Sequence, residues 1–101
     1  MTTRLDWNKP EFTHYRWRRA FKSSFKHQPI NIKQDFARKI EIFKLYPFYP
    51  SLHTHKLSGD LGEYYGFYLR DGFRVIFIFM EDDNILLVNI GSHDDYKKWG
   101  R

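Results

Sequence analysis

Apolar positions change their period along the chain, and the change divides it into a helical first half and a stranded second half. From about Phe12 to His27, Trp17, Phe21 and Phe25 recur every four residues among Arg16, Arg18, Arg19, Lys22 and Lys26. That spacing predicts a helix with one apolar stripe, ended by Pro29. Asn31 and Gln34 have the spacing of a capping box, followed by a second stripe at Ile32, Phe36, Ile40 and Phe43. Pro47 and Pro50 stop this second helix. Both stripes, Trp17 included, are expected to face a core. His14 and His27, without partners in sequence, are expected on the helix surface. Thr3–Asn8 supplies either a short strand or an extended arm.

From Leu57 the period becomes two. Tyr65, Phe67 and Leu69 fall on one side of a strand, and Tyr64, Gly66 and Tyr68 on the other. Arg70-Asp71-Gly72 supplies a hairpin turn, since Asp-Gly suits positions that need a positive φ. Phe73–Met80 is almost wholly apolar, as a central strand covered on both sides would be. Glu81–Asn84 turns the chain, Ile85–Ile90 forms the last strand, and Gly91 breaks it. The resulting expectation is an α+β fold. Two N-terminal antiparallel helices pack on one face of a small, mainly antiparallel sheet of three to four strands, as a single domain over residues 1–101.

Composition adds charge to this outline. With 17 Lys and Arg against 12 Asp and Glu, the chain of 101 residues carries +5, which favours a polyanion or an acidic protein as partner. Aromatics at 20% help so short a chain fill a core. There is no cysteine, which excludes disulfides and thiolate chemistry. The longest apolar run, Val75–Met80, is too short to cross a bilayer. The N-terminal residues are charged where a signal peptide needs an apolar run, so a cytoplasmic location is expected.

HKLSG (His55–Gly59), FRVIF (Phe73–Phe77) and IGSHDDY (Ile90–Tyr96) carry titratable and basic residues near the ends of the strands. In this order, behind two helices and a proline-containing loop, they resemble the RelE/ParE superfamily of bacterial toxins. The nearest type is the RelE- and YafQ-like ribosome-dependent mRNA interferase, and the resemblance spans about Trp17 to Tyr96. It implies an RNA-cleaving site on the sheet face opposite the helices. It also implies a cognate antitoxin, mRNA on the 70S ribosome as target, and operator DNA bound only through the antitoxin complex.

Carried over residue by residue, His55 and His93 match YafQ-type catalytic histidines, and Arg74 matches a RelE-type arginine on the scissile phosphate. Two hairpin positions depart from the YafQ pattern, with Tyr68 and Gly72 standing where a His and an Asp are usual. Lys97 replaces the aromatic residue four positions after the last His, and Tyr96 is the nearest substitute.

RNA cleavage without metal needs a base for the 2′-OH, an acid for the departing 5′-oxygen and cations for the phosphate. Histidine suits both proton roles, and the planar fork of arginine suits the third. His55 and His93 are therefore candidates for base and acid in either order, with Arg74 on the phosphate and Tyr96 donating a hydrogen bond or stacking a base. Lys56, Arg70 and Lys97 are candidate RNA-binding cations. His53 and His55 form an H-x-H pair, a possible metal arrangement, but no third ligand is set by spacing among Asp60, Glu63 and Asp94. No metal or cofactor is expected. Asp94 and Asp95 either orient a histidine or cap the final turn, and capping is the expectation. Two competing functions share the fold: a ParE-like poison of DNA gyrase without nuclease chemistry, and an inactive copy that only binds antitoxin.

Overall fold

The computed structural model describes residues 14–58, 62–81 and 84–99. Strand β1 (His14–Trp17) leads into helix α1 (Arg19–Lys26) and helix α2 (Ile30–Leu45). A short 3-10 turn at Pro50–Leu52 precedes β2 (His55–Lys56), β3 (Tyr65–Tyr68), β4 (Arg74–Phe79), β5 (Asn84–Gly91) and helix α3 (His93–Trp99). The five strands form one sheet in the order β1-β5-β4-β3-β2. β1 runs parallel to β5, and the other pairs are antiparallel.

β4 lies in the middle of the sheet, which explains its apolar sequence: Val75, Ile76 and Phe77 are buried, and neighbours in the row face opposite sides. On one side Val75 and Phe77 join Phe67, Leu69, Ile85, Leu87 and Ile90 beneath α1 and α2. The helices contribute Phe21, Ile32, Phe36, Ile40 and Phe43. Phe43 stacks on Phe67 at 4.9 Å and meets the edge of Phe77 at 4.8 Å, offset and edge-on geometries that aromatic rings prefer. On the other side Ile76 and Leu57 form a smaller cluster with Tyr64, Val88, Tyr96 and Trp99.

The α+β expectation of two helices on one sheet face holds, with differences in detail. The sheet has five strands rather than three to four, because residues 14–17 pair with β5 instead of opening the first helix. Unpaired N–H and C=O groups on the edge of β5 outweigh the helical spacing of this segment. Trp17 is consequently 43% exposed and is not a core residue. Its ring still stacks on Phe21 at 5.7 Å, and Phe21 on Phe25 at 6.0 Å, so the four-residue spacing persists as a ring stack across the strand–helix junction. His14 belongs to β1, and His27 is an exposed residue at the end of α1.

The capping box at Asn31 and Gln34 does not form. α2 begins at Ile30 with Pro29 before it, ahead of the proposed cap, and no side chain caps it. Proline already supplies the φ that a helix start needs. The expectation for Thr3–Asn8 lies outside the described residues. α3 is longer than the final turn that the sequence predicts. It packs on the sheet face opposite α1 and α2.

Asp71 (φ 58°) and Gly72 (φ 77°) both have positive φ, as the turn reading requires. A buried carboxylate pins this turn. Asp35 on α2 accepts the Arg70 N–H at 2.8 Å and pairs with Arg38 at 2.7 Å and Lys39 at 3.1 Å. Burial pushes its pKa up, but the Arg70 N–H, Lys39 and Arg38 outweigh it and hold the carboxyl below its ordinary range.

The pairing of β4 with β5 is interrupted by a bulge. Ile76 pairs with Asn89 and Phe77 with Leu87, so Val88 is an extra residue. The bulge lets Leu87 and Ile90 both face the helices, and it places Gly91 opposite Arg74.

Candidate RNA-cleaving site

Strand register assembles a row of side chains on the open face of the sheet. Tyr68, Arg74 and Gly91 are paired neighbours across β3, β4 and β5 and therefore share a face. His55, Gly66 and Ile76 share the same face in the adjacent row. Gly91 has no side chain to block the approach of α3. A Cβ there would lie 2.7 Å from Asp95 Oδ2 and 3.0 Å from Trp99 Cζ2. Ser92 and Asp95 then cap α3 reciprocally. The Ser92 N–H donates to Asp95 Oδ2 at 3.0 Å, and the Asp95 N–H donates to Ser92 Oγ at 3.2 Å. This returns His93 and Tyr96 to the strand ends.

Arg74 is the hub of the cluster. Its guanidinium carbon lies 4.8 Å from the ring centre of Tyr68 and 4.7 Å from that of Tyr96. Nη2 donates to His93 Nδ1 at 3.1 Å, and Nε and Nη2 donate to the Gly72 carbonyl at 3.3 and 3.2 Å. Two ring contacts keep the guanidinium beside Tyr68 and Tyr96, while its Nε and Nη2 are engaged by the turn carbonyl. On the other side of Tyr68 stand His55 at 5.5 Å and His53 at 6.2 Å between ring centres.

Hydrogen bonding distinguishes the two histidines. The His53 carbonyl can only accept, so the 2.9 Å contact makes His55 Nδ1 the donor, and in the neutral ring the lone pair is on Nε2. A guanidinium can only donate, so His93 Nδ1 accepts and the ring's proton sits on Nε2. In the neutral rings His55 thus has a lone pair at Nε2, and His93 an N–H at Nε2.

The structure therefore gathers Tyr68, His93 and Tyr96 around Arg74, with His55 against Tyr68. It does not gather the three accessory cations. Lys56 pairs with Tyr65, whose ring packs toward the helices, so Lys56 projects to the opposite side of the sheet from His55. Arg70 turns its Nε to Asp71 at 3.4 Å and gives its N–H to Asp35. Lys97 is exposed on α3, one turn beyond His93. Among the described residues no group of three or more His, Asp or Glu could hold a metal ion. Tyr68, at first sight a departure, joins His53, His55 and Arg74. Period-two alternation at Tyr64, Gly66 and Tyr68 had already put it on this face.

No family model matches the sequence. No curated protein matches it either. Solved structures do match. YafQ from E. coli superposes with a TM-score of 0.62 at 14% identity, covering 81% of this chain and 94% of that one. A YoeB/ParE toxin from Agrobacterium tumefaciens gives 0.68 at 13%, covering 80% and 99%. A chain of the RelB-RelE antitoxin-toxin complex from Methanococcus jannaschii gives 0.66 at 17%, covering 83% and 96%. The chain thus has the fold of the RelE, YafQ and YoeB/ParE toxins.

Proposed function

We propose that the protein is the toxin of a toxin–antitoxin pair and cleaves mRNA on the ribosome without a metal. One observation carries this reading: Arg74 is clamped between Tyr68 and Tyr96, against His93 and with His55 beyond Tyr68, on the sheet face left open by α1 and α2. A gyrase poison has no use for two histidines of complementary tautomer beside an arginine fork.

In the proposed reaction, His55 Nε2 takes the proton of the 2′-OH. The 2′-oxygen bonds to phosphorus as the bond to the 5′-oxygen breaks. Arg74 turns its fork to the phosphate oxygens, which frees His93 Nδ1 to take up a proton. The imidazolium then gives a proton from Nε2 to the 5′-oxygen and returns to neutral. The products are a 2′,3′-cyclic phosphate and a 5′-hydroxyl. Orientation of the mRNA by the ribosome lowers the barrier further. The antitoxin, as in the RelB-RelE complex, is the expected protein partner, and the cytoplasm the expected place of action.

Inducible expression with primer-extension mapping of mRNA tests the proposal. Breaks within translated codons are expected. His55→Ala and His93→Ala should each lower cleavage about 10²–10⁴-fold without loss of folding by circular dichroism. Growth arrest with intact mRNA and damaged DNA would refute the nuclease and favour the gyrase poison.

A further inference from the structure

Residues 15–34 hold six cations (Arg16, Arg18, Arg19, Lys22, Lys26 and Lys33) and no Asp or Glu. None of the six has a carboxylate within ion-pair distance among the described residues. By contrast, the cations farther along α2, Arg38, Lys39 and Lys44, are all paired. The next acidic residue, Asp35, is buried beneath its own partners. Among the described residues, Lys22, Lys26 and Lys33 therefore stand together without an acidic partner.

The same stretch forms a notch of about 300 Å³ lined by Trp17, Phe21, Lys22, Phe25, Lys26 and Lys33. Phe21 is fully buried at its floor, while Trp17 is 43% exposed. Lys33 already sits 5.8 Å from the ring of Phe25, so its ammonium lies along the rim. A volume at the low end of the roughly 300–1,000 Å³ typical of small-molecule clefts has room for one planar ring system, not for the apolar face of a partner helix. α1 packs on the face of β5 that carries Leu87 and Ile90, so the notch and Arg74 lie on opposite sides of the sheet.

From this we infer that the notch is a second RNA-binding site, which takes one unstacked base on Trp17 and the flanking phosphates on Lys22, Lys26 and Lys33. Exposed aromatic surface bordered by unpaired cations is the chemistry that holds single-stranded or looped RNA. The strand held there is not the one cut at Arg74, since the sheet separates them. It positions the protein on a larger folded RNA. This inference deepens the RNA-cleaving reading, but its test does not depend on cleavage.

Binding of the full chain to a fully 2′-O-methylated RNA stem-loop, which cannot be cut through its 2′-oxygen, is measured by fluorescence anisotropy over a range of salt. Trp17→Ala is expected to raise the Kd about tenfold, with Trp17→Phe close to the parent. Lys22→Gln, Lys26→Gln and Lys33→Gln together should flatten the log Kd against log salt slope by about 2, for three lost phosphate contacts at roughly 0.7 each. Arg74→Ala should leave the change caused by Trp17→Ala intact, which separates this site from the reacting one. Equal affinity and slope in the folded Trp17 and lysine variants would overturn the inference. So would a loss of affinity for polyglutamate in those variants with RNA binding unchanged, which would mark the notch as a site for an acidic protein.

Discussion

At the scale of residues, the proposed site gives Arg74 and Tyr68 separate parts that substitutions can tell apart. Tyr68 contributes a ring face to Arg74 at 4.8 Å and another contact to His55. Tyr68→Phe keeps the ring and should cleave near the parent rate. Tyr68→Ala removes the clamp and should lose about 5–30-fold, by the roughly 1–2 kcal/mol that such a stack supplies. Arg74→Lys keeps the charge without the fork, and loss of one oriented donor to the developing phosphate charge costs about 10²-fold or more. Single-turnover cleavage of ribosome-bound mRNA reads all three. Arg74, His55 and His93 could be singled out for the proposed chemistry because few residue types can do proton transfer and phosphate binding. Tyr68 was legible only as a position on a face, because its role comes from three neighbours that are remote in sequence.

At the scale of elements, two local devices bring the cluster together. Gly91 lets α3 fold back over the sheet, and Gly91→Ala would drive a Cβ against Asp95 and Trp99. α3 should swing away, lowering stability by about 1–3 kcal/mol. Faster hydrogen exchange across residues 93–99 and loss of cleavage are the expected readouts. The second device is Asp35, which ties the turn before Arg74 to α2. Its folded pKa lies below its unfolded value. It therefore contributes stability above the unfolded value, near pH 4, and that contribution is lost as pH falls through the folded value. Asp35→Asn should cost about 1–3 kcal/mol at pH 7. It should also remove this part of the acid sensitivity below about pH 4 in denaturant titrations. The bulge at Val88 had no signal in the apolar pattern, because alternation read from Ile85 assumes an unbroken period of two.

At the scale of the whole molecule, the sheet separates two apolar clusters of unequal weight. The cluster beneath α1 and α2 contains most of the buried side chains, and the one beneath α3 only Leu57 and Ile76 fully. Ending the chain after Ser92 should therefore leave the sheet and two helices folded by circular dichroism. The midpoint should fall in urea, since Ile76, Val88 and Tyr64 lose cover. Cleavage should disappear, because His93 and Tyr96 go with α3. Loss of the far-ultraviolet signal in this variant would show that the smaller cluster is essential to the fold.

Sequence alone determined two helices ahead of three antiparallel strands, the positive-φ turn at Asp71-Gly72 and which residue types are available for the proposed chemistry. These follow from local periods, from backbone restrictions at Gly and Pro, and from side-chain type. Only tertiary structure decided that residues 14–17 are an edge strand and that α3 returns to the open face. It likewise decided that Lys56 and Arg70 turn away, and which histidine offers a lone pair. Those outcomes depend on hydrogen bonds and register between segments distant in the chain: β1 with β5, Asp35 with Arg70, and Arg74 with His93. No local pattern encodes them.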